Sequence, residues 1–356
     1  MGEKVRNLYV HFPFCRRKCT YCALFSRAGI SSSDRAEYVD TLAAAIRSLF
    51  SPRDTTPLST IYFGGGSPAL CDLSPLLNSL SSQINTETEF SVELHPLDAT
   101  PKNLKALKDG GVNRISMGLQ SLNDDILKHM GRGYTFDEAE KAFLLIKEYF
   151  TNAGIDLIVG YPGDSWGHSP RLNRIASWEL RHCSAYSLIL EKKSALHRMG
   201  TVPPCDEELM DSLAFVSQFL EGIGLKRYEI SNYAIPGFEC RHNMATWRGE
   251  DYYGLGIGAH GRIGLKRTRN WWGHSPEKTW GHSPEEEEVS EDFDFKERRL
   301  FALRTSEGLD ASERPDWIKV LEGFRKEGFL SSQNDLRYVL TPRGREVCDS
   351  ILAELI

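Results

Sequence analysis

Several things are scarce in this 356-residue chain, and each scarcity removes a class of function. No apolar run approaches the ~18 residues that a membrane-spanning helix needs. Positive charge is not in surplus: the net charge is −6 and the pI is near 6.0, which argues against a surface built to bind nucleic acid. No leader with basic, apolar and small-residue segments is visible at the start, so a cytoplasmic location is expected. A disulfide framework is missing too. Of eight cysteines, Cys71, Cys183, Cys205, Cys240 and Cys348 are scattered in the manner of buried thiols in a reducing compartment. The remainder, 40% hydrophobic and 26% charged, is an ordinary globular composition, long enough for one large domain and one or two small ones.

The other three cysteines are not scattered. Cys15-Arg16-Arg17-Lys18-Cys19-Thr20-Tyr21-Cys22 follows the apolar run Leu8-Tyr9-Val10 and sets three thiols at C-x3-C-x2-C spacing. Three thiolates leave a metal site one ligand short of the usual four, and the next histidine is His95. Arg16, Arg17 and Lys18 are expected to lower the thiol pKa values and favour the metal-binding thiolate. The site therefore reads as ready for a metal and open at one corner. A zinc clip closed from elsewhere, or three unrelated thiols, is the plainer alternative.

Residues 1–200 alternate short apolar runs with helical patterns, which predicts βα units and a parallel sheet. Strands are expected at 8–10, 60–63, 90–94, 114–117, 155–159 and 184–190, and helices at 35–49, 73–84, 101–108 and 136–150. Polar motifs fall at the carboxyl ends of these strands, where α/β folds place ligands. Gly64-Gly65-Gly66-Ser67-Pro68 is a turn whose glycines would let backbone N–H groups approach a ligand. Glu93 stands at a strand rim before Pro96. Gly118-Leu119-Gln120 is followed by Met130-Gly131-Arg132. Asp156 is a lone carboxylate in a buried run, so an arginine or a ligand is expected beside it. Tyr186 and Ser187 occupy the sixth strand.

Beyond residue 200 the pattern changes. A helix is expected at 207–223, then the signatures Tyr228-Glu229-Ile230-Ser231-Asn232-Tyr233, Cys240-Arg241-His242-Asn243, Trp247-Arg248-Gly249 and Gly254-Leu255-Gly256-Ile257-Gly258-Ala259-His260. His242, with apolar and aromatic residues beside it, is the first candidate ligand among these imidazoles and His260 the second. Residues 293–356 read as a small winged-helix-type module, not basic enough for DNA binding. Trp-Gly-His-Ser-Pro occurs at 166–170, 272–276 and 280–284, and is expected to form exposed loops without a shared site.

The cysteine spacing resembles the cluster loop of the radical S-adenosylmethionine (SAM) superfamily. The later motifs resemble its branch of oxygen-independent coproporphyrinogen III oxidases and HemW-type haem chaperones, over nearly the whole chain. That resemblance implies an α/β fold: a partial (βα)6 barrel at 1–200, a mixed accessory region at 201–292 and a winged-helix-like α+β domain at 293–356. It implies a [4Fe–4S] cluster on Cys15, Cys19 and Cys22, its fourth iron chelated by SAM, with no other catalytic residue assigned. It places Tyr9, Tyr21, Gly65, Gly66, Ser67, Glu93, Gln120, Arg132, Asp156 and Ile257 around SAM, and His242 on haem. The expected function is haem delivery to an acceptor protein, which would also bring any peripheral membrane contact, with an electron donor as a further partner. The alternatives are oxidative decarboxylation of coproporphyrinogen III and a zinc-dependent interaction protein. Two features favour the chaperone: Leu24 stands where the oxidase has a further cysteine, and His242, Asn243 and Trp247 resemble the chaperone's H-N-x-x-Y-W, with Thr246 in place of tyrosine.

Overall fold

The computed structural model describes residues 4–50, 56–167, 169–272, 282–334 and 336–356. Six parallel strands form in the expected order: β1 (Asn7–Phe12), β2 (Thr60–Gly65), β3 (Glu89–Leu94), β4 (Arg114–Gln120), β5 (Asn152–Val159) and β6 (His182–Ser187). The last ends three residues before the expected 190, because Leu188 already leaves the strand. Further along come β7 (Lys226–Arg227), β8 (Asn232–Ala234), β9 (Tyr252–Leu255), β10 (His260–Ile263), β11 (Lys266–Trp272) and β12 (His282–Glu288). All twelve join one sheet, in the order β12-β11-β10-β9-β1-β2-β3-β4-β5-β6-β8-β7. The sequence reading missed that β9 adds a seventh parallel strand beside β1, pairing Asn7 with Tyr252 and Val10 with Leu255.

Residue alternation explains how this sheet makes a site. Leu8, Val10, Phe12, Ile61, Phe63, Phe90, Val92, Ile115 and Met117 are fully buried on the face that the helices cover, starting with Ser32–Leu49, which packs Tyr38, Val39, Leu42 and Ile46 inward. Each such side chain contributes roughly 1.5–3 kcal/mol by leaving water. Successive strand residues point to opposite faces, so the intervening Tyr9, His11, Tyr62, Glu93, Arg114, Ser116 and Asp156 share the other face. A parallel sheet covered on both sides is normally apolar throughout; here one face is polar, and that face is the lumen.

The C-terminal residues build a second core. Leu300, Leu303, Leu309, Trp317, Leu321, Tyr338 and Ile351 pack together around a three-stranded antiparallel sheet, β13 (Leu309–Asp310), β14 (Leu330–Asn334) and β15 (Arg337–Leu340), with β15 central. The scattered cysteines are free thiols; Cys183, Cys240 and Cys348 are buried as expected, whereas Cys205 is exposed. In the first Trp-Gly-His-Ser-Pro segment Gly167 and Pro170 are exposed as expected, and Trp166 is not. Trp166 is 3% exposed within the main core. Residues 168, 273–281 and the side chains of 271, 272 and 282–284 lie outside what is described, and with them most of the other two copies. No described helix is long and apolar enough to cross a membrane.

Candidate functional site

The loop carrying the three cysteines leaves the end of β1 and is fastened to the strand ends around it. Cys15 lies in a short parallel pairing with Ala28. The Cys22 N–H donates to the Cys19 carbonyl at 3.2 Å, and Thr20 N–H reaches the Met130 carbonyl at 3.1 Å, while Leu196 N–H reaches the Thr20 carbonyl at 2.7 Å. Arg132 Nη1 donates to Cys19 Sγ at 3.4 Å, and its other nitrogens to the Tyr134 hydroxyl and the Gly118 carbonyl, each at 2.8 Å. The cation at the sulfur thus comes from the far side of the barrel mouth.

Of Arg16, Arg17 and Lys18, expected to hold the thiols down, only Lys18 acts in that direction, on Cys22, and burial outweighs it. Burial pushes the Cys15 thiol up to about 11 and the Cys22 thiol in the same direction. Arg16 is turned away to Asp98 at 2.9 Å through Nε, and Lys18 donates to the carbonyls of Leu24 and Ser26 at 3.2 and 3.4 Å. Cys15 also feels Cys22 and Cys19, and Cys22 feels Cys19, so the three sulfurs are neighbours. Among the described residues no three His, Cys, Asp or Glu side chains are close enough to share a single metal ion. Three soft sulfurs are a donor set able to hold a cluster at three corners.

The lumen holds a cavity of about 690 Å³, cofactor-sized, lined by Tyr9, His11, Tyr62, Glu93, His242 and Ile257 among others. Glu93 accepts hydrogen bonds from the Tyr62 hydroxyl at 3.0 Å and the Gly65 N–H at 2.9 Å. Burial, then the neighbouring Asp156 carboxylate, push Glu93 up to about 7. Asp156 is raised by burial as well. Its close partner is the Ser116 hydroxyl at 2.8 Å, with Ser184 helping to hold its charge and Arg114 and Arg132 acting from further off. Of the expected partners, an arginine or a ligand, the arginines act only through their charge, and hydroxyls make the protein contacts.

The glycine turn also works differently from its reading. Gly65 has φ +106°, and a Cβ there would lie 2.4 Å from the His11 ring; a Cβ on Gly66 would lie 2.4 Å from the Phe14 carbonyl oxygen. The Gly65 N–H serves Glu93 and the Gly66 N–H donates to the Phe12 carbonyl at 2.7 Å. Ser67 is 3% exposed and donates to Asp98. Here the small residues make room for His11 and the Phe14 carbonyl. Gln120, also at positive φ (74°), follows a bulge in the β4–β5 pairing beside Gly118 and Arg132. Tyr21 packs against the apolar group of Ile126, Met130 and Ile158. Tyr9, Glu93, Ile257 and His242 therefore meet in the cavity, while Tyr21, Gln120 and Arg132 gather with the cysteine loop. Tyr186 lines the cavity as expected; Ser187 does not.

His242 sits on the helix Arg241–Trp247, 6% exposed, with its ring near those of Tyr9 and Tyr62 at interplanar angles of 28° and 31°. Its tautomer follows from its partners. Asn7 Nδ2 donates to Glu250 Oε2 at 3.2 Å and to the Asp251 carbonyl at 3.1 Å, both pure acceptors, so Asn7 Oδ1 must accept. The Thr60 hydroxyl gives it its only proton at 2.8 Å. Thr60 Oγ1 can then only accept from His242 Nδ1, at 2.8 Å. The proton is on Nδ1. Nε2 carries a lone pair and has no hydrogen-bond partner among the described residues, while the residue lines the cavity. Burial, and then Arg114, lower the His242 pKa to about 3, which keeps the ring neutral. His260 lies on the exposed rim of the same cavity.

Several positioning residues were not singled out from the sequence. Glu89 accepts from the backbone N–H groups of Arg241 and His242, each at 3.1 Å, and from the Cys240 thiol at 3.7 Å, which fixes the helix that carries His242. Tyr38 donates to the His11 carbonyl at 2.8 Å and accepts from Ile257 N–H at 3.0 Å. Asp98 joins Arg16 to Ser67. A polar residue at the start of an apolar strand was the signal available for Glu89, as it was for Thr60.

An open α/β barrel with a three-cysteine loop at its strand ends is the arrangement of radical SAM proteins, and the model of the Radical SAM superfamily matches residues 9–172. Among solved structures, the fold is similar to coproporphyrinogen III oxidase (HemN) from Escherichia coli, with a TM-score of 0.81 over 99% of this chain and 90% of that one, at 21% identity. The heme chaperone HemW of Bacillus subtilis is 30% identical over 99% of this chain and 100% of its own length. That of Lactococcus lactis is 34% identical over 76% of this chain and 73% of its own length, and that of Mycobacterium tuberculosis 30% identical over 98% and 94%. The chain belongs to the HemW family of radical SAM proteins.

Proposed function

We propose that this protein is a haem chaperone, which binds haem and a SAM-ligated [4Fe–4S] cluster and passes haem to an acceptor protein in the cytoplasm. The observation that carries this reading is His242: a neutral imidazole whose Nδ1 proton is committed to Thr60 and whose Nε2 lone pair is left to a ligand in the cavity. Haem iron accepts such a nitrogen.

In this reading Cys15, Cys19 and Cys22 hold the cluster, which when reduced supplies an electron to the SAM sulfonium. Arg132, at Cys19 Sγ, offsets the negative charge that builds on the sulfurs. Glu93, held by Tyr62 and Gly65, presents a carboxylate to the amino group of SAM, and Tyr9 and Ile257 close the cavity around it. Tyr21, Gly66, Ser67, Gln120 and Asp156 support this shell, through the backbone and hydroxyl contacts described above.

Oxidative decarboxylation of coproporphyrinogen III is the competing activity, and the shared fold favours it as a second reading. Leu24 weighs against it, because the oxidase's additional cysteine is replaced by an apolar side chain, 55% exposed at the cavity mouth. One experiment separates the readings. Anaerobically reconstituted protein is given haem in one arm, and SAM, reductant and coproporphyrinogen III in the other. Stable haem uptake without vinyl product supports the chaperone; vinyl product at catalytic yield overturns it. Loss of iron and sulfide in Cys19→Ala tests the cluster assignment.

A further inference from the structure

The mouth of the cavity carries charge of the wrong sign for a chain of net charge −6. Among its described lining residues are four cations, Lys18, Arg27, Lys193 and Arg269, against one carboxylate, Glu93, and Glu93 lies at the lumen end, where burial holds it partly protonated near neutrality. The cations arrive from opposite ends of the curved sheet. Lys193 follows β6, whereas Arg269 lies on β11, across from His260 on β10 and Glu285 on β12. Two large apolar side chains, Leu24 and Tyr186, line the same cavity and are left 55% and 43% exposed. Exposed apolar side chains beside positive charges are complementary to a flat apolar molecule with carboxylates on its edge.

Building on the haem-chaperone reading, we infer that Lys193 and Arg269 bind the two propionates of haem at the cavity mouth, with the macrocycle lying against Leu24 and Tyr186. Charged groups at a partly desolvated rim recognise carboxylates through charge-assisted hydrogen bonds and also steer the anion toward the opening. The axial contact through His242 and the edge contact through the rim are then separable. One sets the iron's ligand field; the other sets affinity for the free acid form.

The test compares haem with its dimethyl ester, which keeps the iron and the ring but masks both carboxylates. Full-length reconstituted protein is titrated with each, as wild type and as the Lys193→Ala, Arg269→Ala double variant, and the Soret band is followed. Haem affinity is expected to fall roughly tenfold in the double variant, with the band position unchanged because His242 is untouched. Affinity for the dimethyl ester should be the same in both proteins and close to that of the variant for haem. Lys193→Arg with Arg269→Lys, which keeps both charges, should bind haem within a few-fold of wild type. Raised salt should weaken haem binding and leave ester binding alone. Equal haem affinity in wild type and double variant, or an equal loss for haem and ester, overturns the rim assignment while leaving haem binding itself intact. Failure of wild type to bind either compound instead overturns the haem reading, and the rim assignment with it.

Discussion

A single proton decides what His242 can do. Because Thr60 accepts from Nδ1, the free lone pair is on Nε2, and the site is a nitrogen donor rather than a hydrogen-bond donor. His242→Ala is expected to remove the nitrogen-ligated haem spectrum. Thr60→Val keeps the ring but releases its tautomer, and should weaken haem binding roughly tenfold, the usual cost of losing the group that orients a metal-binding histidine. With the His242 pKa near 3, the ring remains unprotonated from pH 8 to pH 5, so haem affinity in that window should not follow the titration of an ordinary imidazole near 6.5. A fall in affinity centred near pH 6.5 that disappears in His242→Ala would show that the imidazole is far less sheltered than its burial indicates. Glu93 behaves in the opposite way. Its pKa of about 7 leaves it largely neutral at pH 6, and binding an ammonium group requires the carboxylate. SAM affinity should therefore rise with pH through 7, by up to roughly tenfold per unit on the acid side, and this slope should be absent in Glu93→Gln.

At the scale of elements, what the sequence made legible was set by repetition. Six strands and four of the helices between them were readable because apolar runs and 3.6-residue patterns alternate from Leu8 to Ser187, whereas the six-residue helices Asp124–His129 and Arg171–Ala176 are too short to show a pattern. The strand Tyr252–Leu255 was not, since it has four residues, includes Gly254, and is only partly buried throughout; its role depends on pairing with β1, which local pattern cannot encode. The site shows the same division. Cys15, Cys19, Cys22, Glu93 and His242 stood out by residue type and spacing, whereas Glu89 and Thr60 act through hydrogen bonds to residues more than 150 positions away. The charge of the cysteine loop misled because burial outweighs Lys18 at Cys22 and Arg16 is turned to Asp98. Glu89 gives the element-scale prediction. Its carboxylate caps the first turn of the helix Arg241–Trp247, so Glu89→Gln, which turns an N–H group toward N–H donors, should cost about 1–3 kcal/mol in urea unfolding and weaken haem binding. If Glu89→Gln lowers stability but leaves haem affinity and the Soret band unchanged, the carboxylate serves the fold and not the position of His242.

For the whole molecule, the question is how two cores act as one body. The main core and the C-terminal core are joined across a strip of ions as well as by apolar contacts such as Ile230 against the second core. Arg262 on β10, with its side chain 5% exposed, donates to Asp294 at 2.6 Å and Glu297 at 3.0 Å on the helix Glu291–Ala302. Arg267 on β11 reaches the same two carboxylates at 2.6 Å, and Arg298 adds a bond to Asp294 at 2.8 Å. Removing one partner from a buried ionic group leaves the others poorly compensated, which costs more than the intact group contributes. Arg262→Ala should therefore destabilise the chain by about 1–3 kcal/mol, and the loss should appear first on the C-terminal side. Hydrogen exchange reads this directly. Amides of Leu321 and Ile351 in the second core should lose protection in the variant, while those of Val92 and Ile115 in the barrel keep theirs. Replacement by methionine, which fills the space without the charge, should still lower protection, because Asp294 and Glu297 then share Arg267 with a desolvated wall beside them. Equal loss of protection in both cores would mean that they unfold as a single cooperative unit and that the ionic strip is part of it. Unchanged protection would mean that contacts such as Trp247 against Phe301 and Arg248 with Glu307 suffice to join them. Because β10 and β11 also carry His260 and Arg269 to the cavity mouth, a loosened strip should reach the ligand site as well. Arg262→Ala should then speed haem release while leaving the His242 spectrum intact.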